Sequence, residues 1–93
     1  MSLTVKDTKY FFNSDNVEQV KSMQLFIVNN NILVSYKTVI GILDNNDCWY
    51  ITNRKYSKTT SRQITVFKRS NYHVIVDDEV IDSMQSYYYP NGI

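Results

Sequence analysis

"MQLFIVNNNILVSYKTVIGILDNNDCWYIT", residues 23 to 52, decides how this chain folds. Its apolar runs LFIV, ILV, TVIGIL and WYIT are separated by "NNN" at 29 to 31 and "DNND" at 44 to 47. Asn and Asp tolerate positive φ and hydrogen-bond their own backbone, so these clusters read as turns. An antiparallel meander is the economical arrangement. LFIV and ILV are almost continuously apolar, which predicts one face on the core and the other covered by a helix or a partner. Gly41, isolated inside TVIGIL, marks a bulge or a close backbone approach.

On the amino-terminal side, "NSDNVEQVKS" predicts one or two helical turns ending near Lys21. Ser14 or Asp15 would supply the cap, and Glu18 would sit in the first turn, where its charge suits the helix dipole. Before it, "LTVKDTKYFF" at 3 to 12 reads as an edge strand or an ordered arm.

On the other side lies "WYITNRKYSKTTSRQ", residues 49 to 63. WYIT completes a strand, with Trp49 and Ile51 on one face and Tyr50 and Thr52 on the other. NRKYSK leaves the strand. TTSRQ reads as a capping box, with Thr60 at the N-cap and Gln63 three residues on, so a helix is expected from about Ser61. The β-branched run Ile64, Thr65, Val66 argues instead for a strand, which stays as the alternative. "YHVIV" at 72 to 76 is a strand and the acidic pair after it breaks it. Val80, Ile81, Met84 and Tyr88 recur at helical spacing, predicting a closing helix that ends before Pro90. The expected fold is α+β: a single domain over residues 1–93, an antiparallel β-meander of about four to five strands with two or three short helices packed on one side.

Composition supports this. Val and Ile number 19 together and there is no alanine, so sheet should dominate. Ninety-three residues cannot divide their apolar side chains between two cores. With 43% hydrophobic and 20% charged residues and a formal net charge of +1, the chain is neither a disordered polyelectrolyte nor a polyanion mimic. The single cysteine, Cys48, excludes an intrachain disulfide and a Cys-cluster metal site, and reads as a buried thiol. No stretch has signal-peptide or membrane-spanning character, so no membrane partner and a cytoplasmic location are expected.

Charge is unevenly distributed. Residues 54 to 69 carry Arg54, Lys55, Lys58, Arg62, Lys68 and Arg69 with no acid, whereas 77 to 82 carry Asp77, Asp78, Glu79 and Asp82 with no base. The basic segment, with Tyr56 for stacking and Ser57, Thr59, Thr60 and Ser61 as hydroxyl donors, has the groups that phosphates and an unstacked base require. The ordinary alternative is that the two blocks neutralise each other across the fold or are simply solvated.

Catalytic constellations are poorly represented. The only histidine, His73, lies in an apolar strand and could pair only with Cys48, with no orienting third group apparent. Asp77, Asp78 and Glu79 are successive and cannot all point one way, so no metal is expected. Gly41 and Gly92 are the only glycines, too few for a phosphate loop. Neither an enzyme nor a cofactor is expected.

"SYKTVIG" at 35 to 41, followed by the 49 to 63 stretch, resembles small uncharacterised proteins of phages, prophages and plasmids of low-GC Gram-positive bacteria. Their pattern is Ser-Tyr-x-Thr, an aromatic-Ile-Thr strand, then aromatic-Ser-x-Thr-Thr-Ser. The matching positions are Ser35, Tyr36, Thr38, Tyr50, Ile51, Thr52, Tyr56, Ser57, Thr59, Thr60 and Ser61. The chain departs from the pattern at Val39, where proline is common, and at Arg62-Gln63, where Lys-His is common. The resemblance implies a mobile-element accessory protein, and with it a non-enzymatic binding module that inhibits a host or defence protein in the manner of an anti-CRISPR. The alternative is a nucleic-acid binder that uses 54–69. The residues expected to contact either partner are Arg54, Lys55, Tyr56, Lys58, Arg62, Lys68 and Arg69. Exposed tyrosines such as the triple at 87 to 89 would serve a protein interface, and homodimerisation would hide sheet edges.

Overall fold

The computed structural model describes residues 17–21, 23–35 and 38–90. Strands β1 (Val17–Gln19), β2 (Leu25–Val28), β3 (Ile32–Ser35), β4 (Thr38–Leu43) and β5 (Trp49–Thr52) lie side by side in sequence order, each antiparallel to the last. Helix α1 (Lys58–Ser70) then crosses over, so that β6 (His73–Val76) pairs with β5 in parallel. Helix α2 (Asp78–Tyr88) closes the described chain. The meander is present, but among the described residues the sheet has six strands and is mixed, one strand more than expected and not wholly antiparallel. A parallel neighbour needs a crossover of a dozen or more residues, which the segment 53–72 provides.

The turns form for the reasons their residues suggest. Asn29 and Asn30 both have positive φ, at 52° and 65°, and the Asn31 N–H donates to the Val28 carbonyl at 3.2 Å. In the second turn Asp44 Oδ1 accepts from the backbone N–H groups of Asn46 (2.9 Å) and Cys48 (3.0 Å). These bonds, the Cys48 one foremost, hold the Asp44 carboxyl below the usual aspartate value. In β4 the register shifts by one residue opposite Leu33 and Val34, and the bulge leaves Gly41 paired with Leu33 and Ile51.

Two corrections concern helices. The helix expected to end near Lys21 is replaced, over its described part, by β1, whose Val17, Glu18 and Gln19 pair with Val28, Ile27 and Phe26. There the backbone finds its partners in a tight hairpin. The Val20 N–H donates to the Leu25 carbonyl at 2.8 Å, and Lys21 turns the chain at φ 54°. The proposed caps Ser14 and Asp15, and the arm at 3 to 12, lie outside the described residues. The second correction is that the helices do not share one side.

The central strands are buried on both faces, and alternation sorts their side chains into two layers. Leu25, Leu33, Ile40, Trp49 and Ile51 pack with Ile64 and Phe67 of α1; Val28, Ile32, Val34, Val39 and Ile42 pack with Ile81 of α2. Helix α1 thus covers one face of the sheet and α2 the other. Trp49 meets Phe67 edge to face, ring centroids 5.2 Å apart.

Candidate anion site beside the first helix

Sequence reasoning put the cap of α1 three residues late. Ser57 is the N-cap, its hydroxyl accepting from the Thr60 N–H at 3.3 Å, and Thr60 is itself buried. Thr60, Ile64 and Phe67 form the buried stripe, spaced four and three residues apart. That stripe outweighs the β-branched run, and with it the strand alternative for this segment.

The face directed away from the sheet carries the cations. At about 100° per residue, Lys58, Arg62 and Arg69 fall within about 40° of one another on the wheel, opposite the buried stripe. All three are exposed. On the flank of the helix, between it and the carboxyl ends of β5 and β6, is a pocket of about 260 Å³. Thr52, Asn53, Arg54 and Lys55 line it from the loop side, Ser61, Ile64, Thr65 and Lys68 from α1, and Ile75 from β6. Brought together there, Lys55 and Lys68, with Arg54 paired to Asp78, place positive charge around an opening that polar and apolar side chains line alike.

The pocket wall is fixed by its contact with the start of α2. Arg54 pairs with Asp78, to which the Thr52 hydroxyl also donates. The Arg54 backbone N–H donates back to Thr52 Oγ1 at 3.1 Å, and Asn53 donates through Nδ2 to Asp77 at 2.6 Å. The basic and acidic blocks therefore meet at one point. Among the described residues no carboxylate lies within ion-pair distance of Lys55, Lys58, Arg62, Lys68 or Arg69.

Tyr56 does not stand where a stacking residue should. Its ring packs against the α1-side core and its hydroxyl is buried, so it offers no outward platform. Burial pushes its pKa up, with the Arg54 cation opposing and Asp78 reinforcing. The apolar surface inside the site comes instead from Ile64 and Ile75, which sequence reasoning did not assign to it. Ile75 is 47% exposed on β6, the outermost of the described strands beyond β5, and its register opposite Ile51 places it on the α1 face.

His73 and Cys48 are each engaged locally. His73 Nδ1 lies 2.9 Å from the Asn71 carbonyl, and the buried Cys48 thiol faces the Trp49 carbonyl at 3.8 Å. Burial raises the thiol pKa, with the Asp44 charge adding to it. Among the described residues no three His, Cys, Asp or Glu side chains cluster as metal ligands. No helix there is long and apolar enough to cross a membrane.

Compared with known proteins, residues 2–83 match the model of a family described as Family of unknown function (DUF8033). No curated protein and no solved structure matches the chain.

Proposed function

The chain belongs to that family, whose description names no activity, and from the geometry of α1 we propose that it is a non-enzymatic module that binds nucleic acid. One observation carries the reading: Lys58, Arg62 and Arg69 stand on one exposed line of α1, with Lys55 and Lys68 on its flank. Successive cations along a helix match the periodic charge of a phosphodiester backbone, which is where most affinity for nucleic acid arises. Glu79 and Asp82 belong to α2, on the opposite face of the sheet, while Asp78 meets Arg54 at the pocket wall. Helix α1 itself carries no acid, so its outer face is basic, and a field of this shape orients a polyanion before contact. An accessory role in a mobile element is the setting we propose, and it rests on the sequence pattern alone.

The test is fluorescence anisotropy with labelled oligonucleotides across a salt series, comparing the wild type with the Lys58→Gln/Arg62→Gln/Arg69→Gln variant. Each lost phosphate contact should reduce the slope of log affinity on log salt by about 0.7 to 0.9. A variant that binds as the wild type does, with the same slope, refutes the reading.

A protein target, such as a host or defence protein to be inhibited, is the second reading, favoured by β6. That strand pairs with β5 alone among the described strands, and it carries Val74 and Ile75 at 37% and 47% exposure beside Tyr72 at 73%. An open apolar edge is a template for strand addition. The added strand can also come from a second copy. Light scattering tests this, since a mass of twice 11.0 kDa that Val74→Lys abolishes would assign the edge to self-association. A monomer at all concentrations leaves the edge to a foreign chain.

A further inference from the structure

We infer that the pocket between α1 and the ends of β5 and β6 takes one unstacked nucleotide of a single strand, its phosphate between Lys55 and Lys68 and its base against Ile64 and Ile75. The inference rests on the nucleic-acid reading and narrows it to a preference for single strands. Three features of the pocket point this way.

The first is size. About 260 Å³ lies just below the roughly 300–1,000 Å³ of sites for drug-sized ligands, which suits a single base with its sugar rather than a longer segment.

The second is the division of chemistry. Lys55 and Lys68 share the lining with the aliphatic side chains of Ile64 and Ile75, so one opening offers both a phosphate and a base something to meet. The hydroxyls of Ser61 and Thr65 donate to the Tyr56 carbonyl (3.3 Å) and the Ser61 carbonyl (2.9 Å), so their lone pairs stay free to accept from a base edge. The rim is also held in advance, because Asp78 anchors Arg54 and Asp77 anchors Asn53.

The third is continuity with the ridge. At about 100° per residue the pocket-lining Thr65 falls about 20° from Lys58 and about 40° from Arg69 on the wheel, so a backbone following Lys58, Arg62 and Arg69 passes the mouth of the pocket. A duplex can use the ridge but keeps its bases inside the stack; a single strand can turn one out at little cost.

The experiment measures binding of a single-stranded oligonucleotide and of a duplex of the same length, at one salt concentration, to the full chain and to Ile75→Gln. The amide removes the apolar contact without changing a charge and without offering a ring on which a base could stack, at a position exposed enough to accept it. Thr65→Leu narrows the pocket from the helix side and serves should the first variant fail to fold by circular dichroism. The wild type is expected to favour the single strand by roughly fivefold, the effect of one base packed on aliphatic side chains, and either variant should reduce that ratio towards one with duplex affinity unchanged. Equal binding of both forms by the wild type, or a ratio that neither variant alters, overturns the pocket assignment while leaving the ridge intact. No binding of either form refutes the underlying reading. Poly-glutamate binding as tightly as the single strand would show that the site answers to charge alone, and would overturn the base contact.

Discussion

Gly41 shows how a single residue sets the spacing of the sheet. A Cβ built there would stand 3.2 Å from the Tyr50 carbonyl oxygen and 3.4 Å from atoms of Ile51 and Leu33. The nearest of these belongs to the backbone of β5, which cannot withdraw without straining its pairing. Gly41→Ala should therefore lose about 1–2 kcal/mol to overpacking, offset in part by about 0.4–1 kcal/mol from a less flexible unfolded chain. The net effect is a fall in melting temperature of several degrees, read by thermal denaturation; a rise would show that the strands separate freely at this point. Gly41 was legible in the sequence because a lone strand glycine has few uses. The asparagine turns were legible for the same local reason. Tyr56 was not, because its neighbours Arg54, Lys55 and Lys58 describe a charged loop and nothing nearby shows that its ring turns inward to the core.

At the scale of the element, α1 is held by its cap and its buried stripe. Its first turn contains no acidic residue, so the orphan N–H groups there depend on Ser57, while Lys68 and Arg69 suit the dipole at the other end. Ser57→Ala should cost about 1 kcal/mol in chemical denaturation, whereas Ser57→Asp should retain the cap; equal loss in both would mean that the hydroxyl is not the capping group. The sequence pointed to a cap here but misplaced it, since Thr60 with Gln63 imitates a capping box and Ser57 has no Glu or Gln three residues on. The start of the described chain misled in another way. A capping serine followed by Glu18 suggests a helix, yet Val17 gains more by packing beside Val28 at the sheet edge. Strand pairing of that kind depends on a partner, and local signals do not contain it.

At the scale of the whole molecule, the described residues form a six-stranded sheet between two helices, and the charge they carry follows from which helix lies on which face. The strand composition and the meander were readable from residues 23 to 52. The placement of the helices was not, although two clues existed: LFIV and ILV are apolar on both faces, and a strand, a helix and a strand in succession imply a parallel pair with the helix lying over it. With α1 on one face and α2 on the other, the basic and acidic blocks that are neighbours in sequence become opposite surfaces joined by the Arg54–Asp78 pair. Mutual neutralisation, the ordinary expectation for two such blocks, therefore reaches one of the six cations among the described residues. The salt dependence of single-strand binding tests this arrangement most directly. With Lys55, Lys58, Arg62, Lys68 and Arg69 all meeting phosphates, log affinity should fall by about 3.5 per decade of salt. Removing Lys58, Arg62 and Arg69 together should flatten that slope by about 2. A slope near zero in the wild type, or one the triple variant leaves unchanged, would contradict the claim that the basic side of this fold is a nucleic-acid surface.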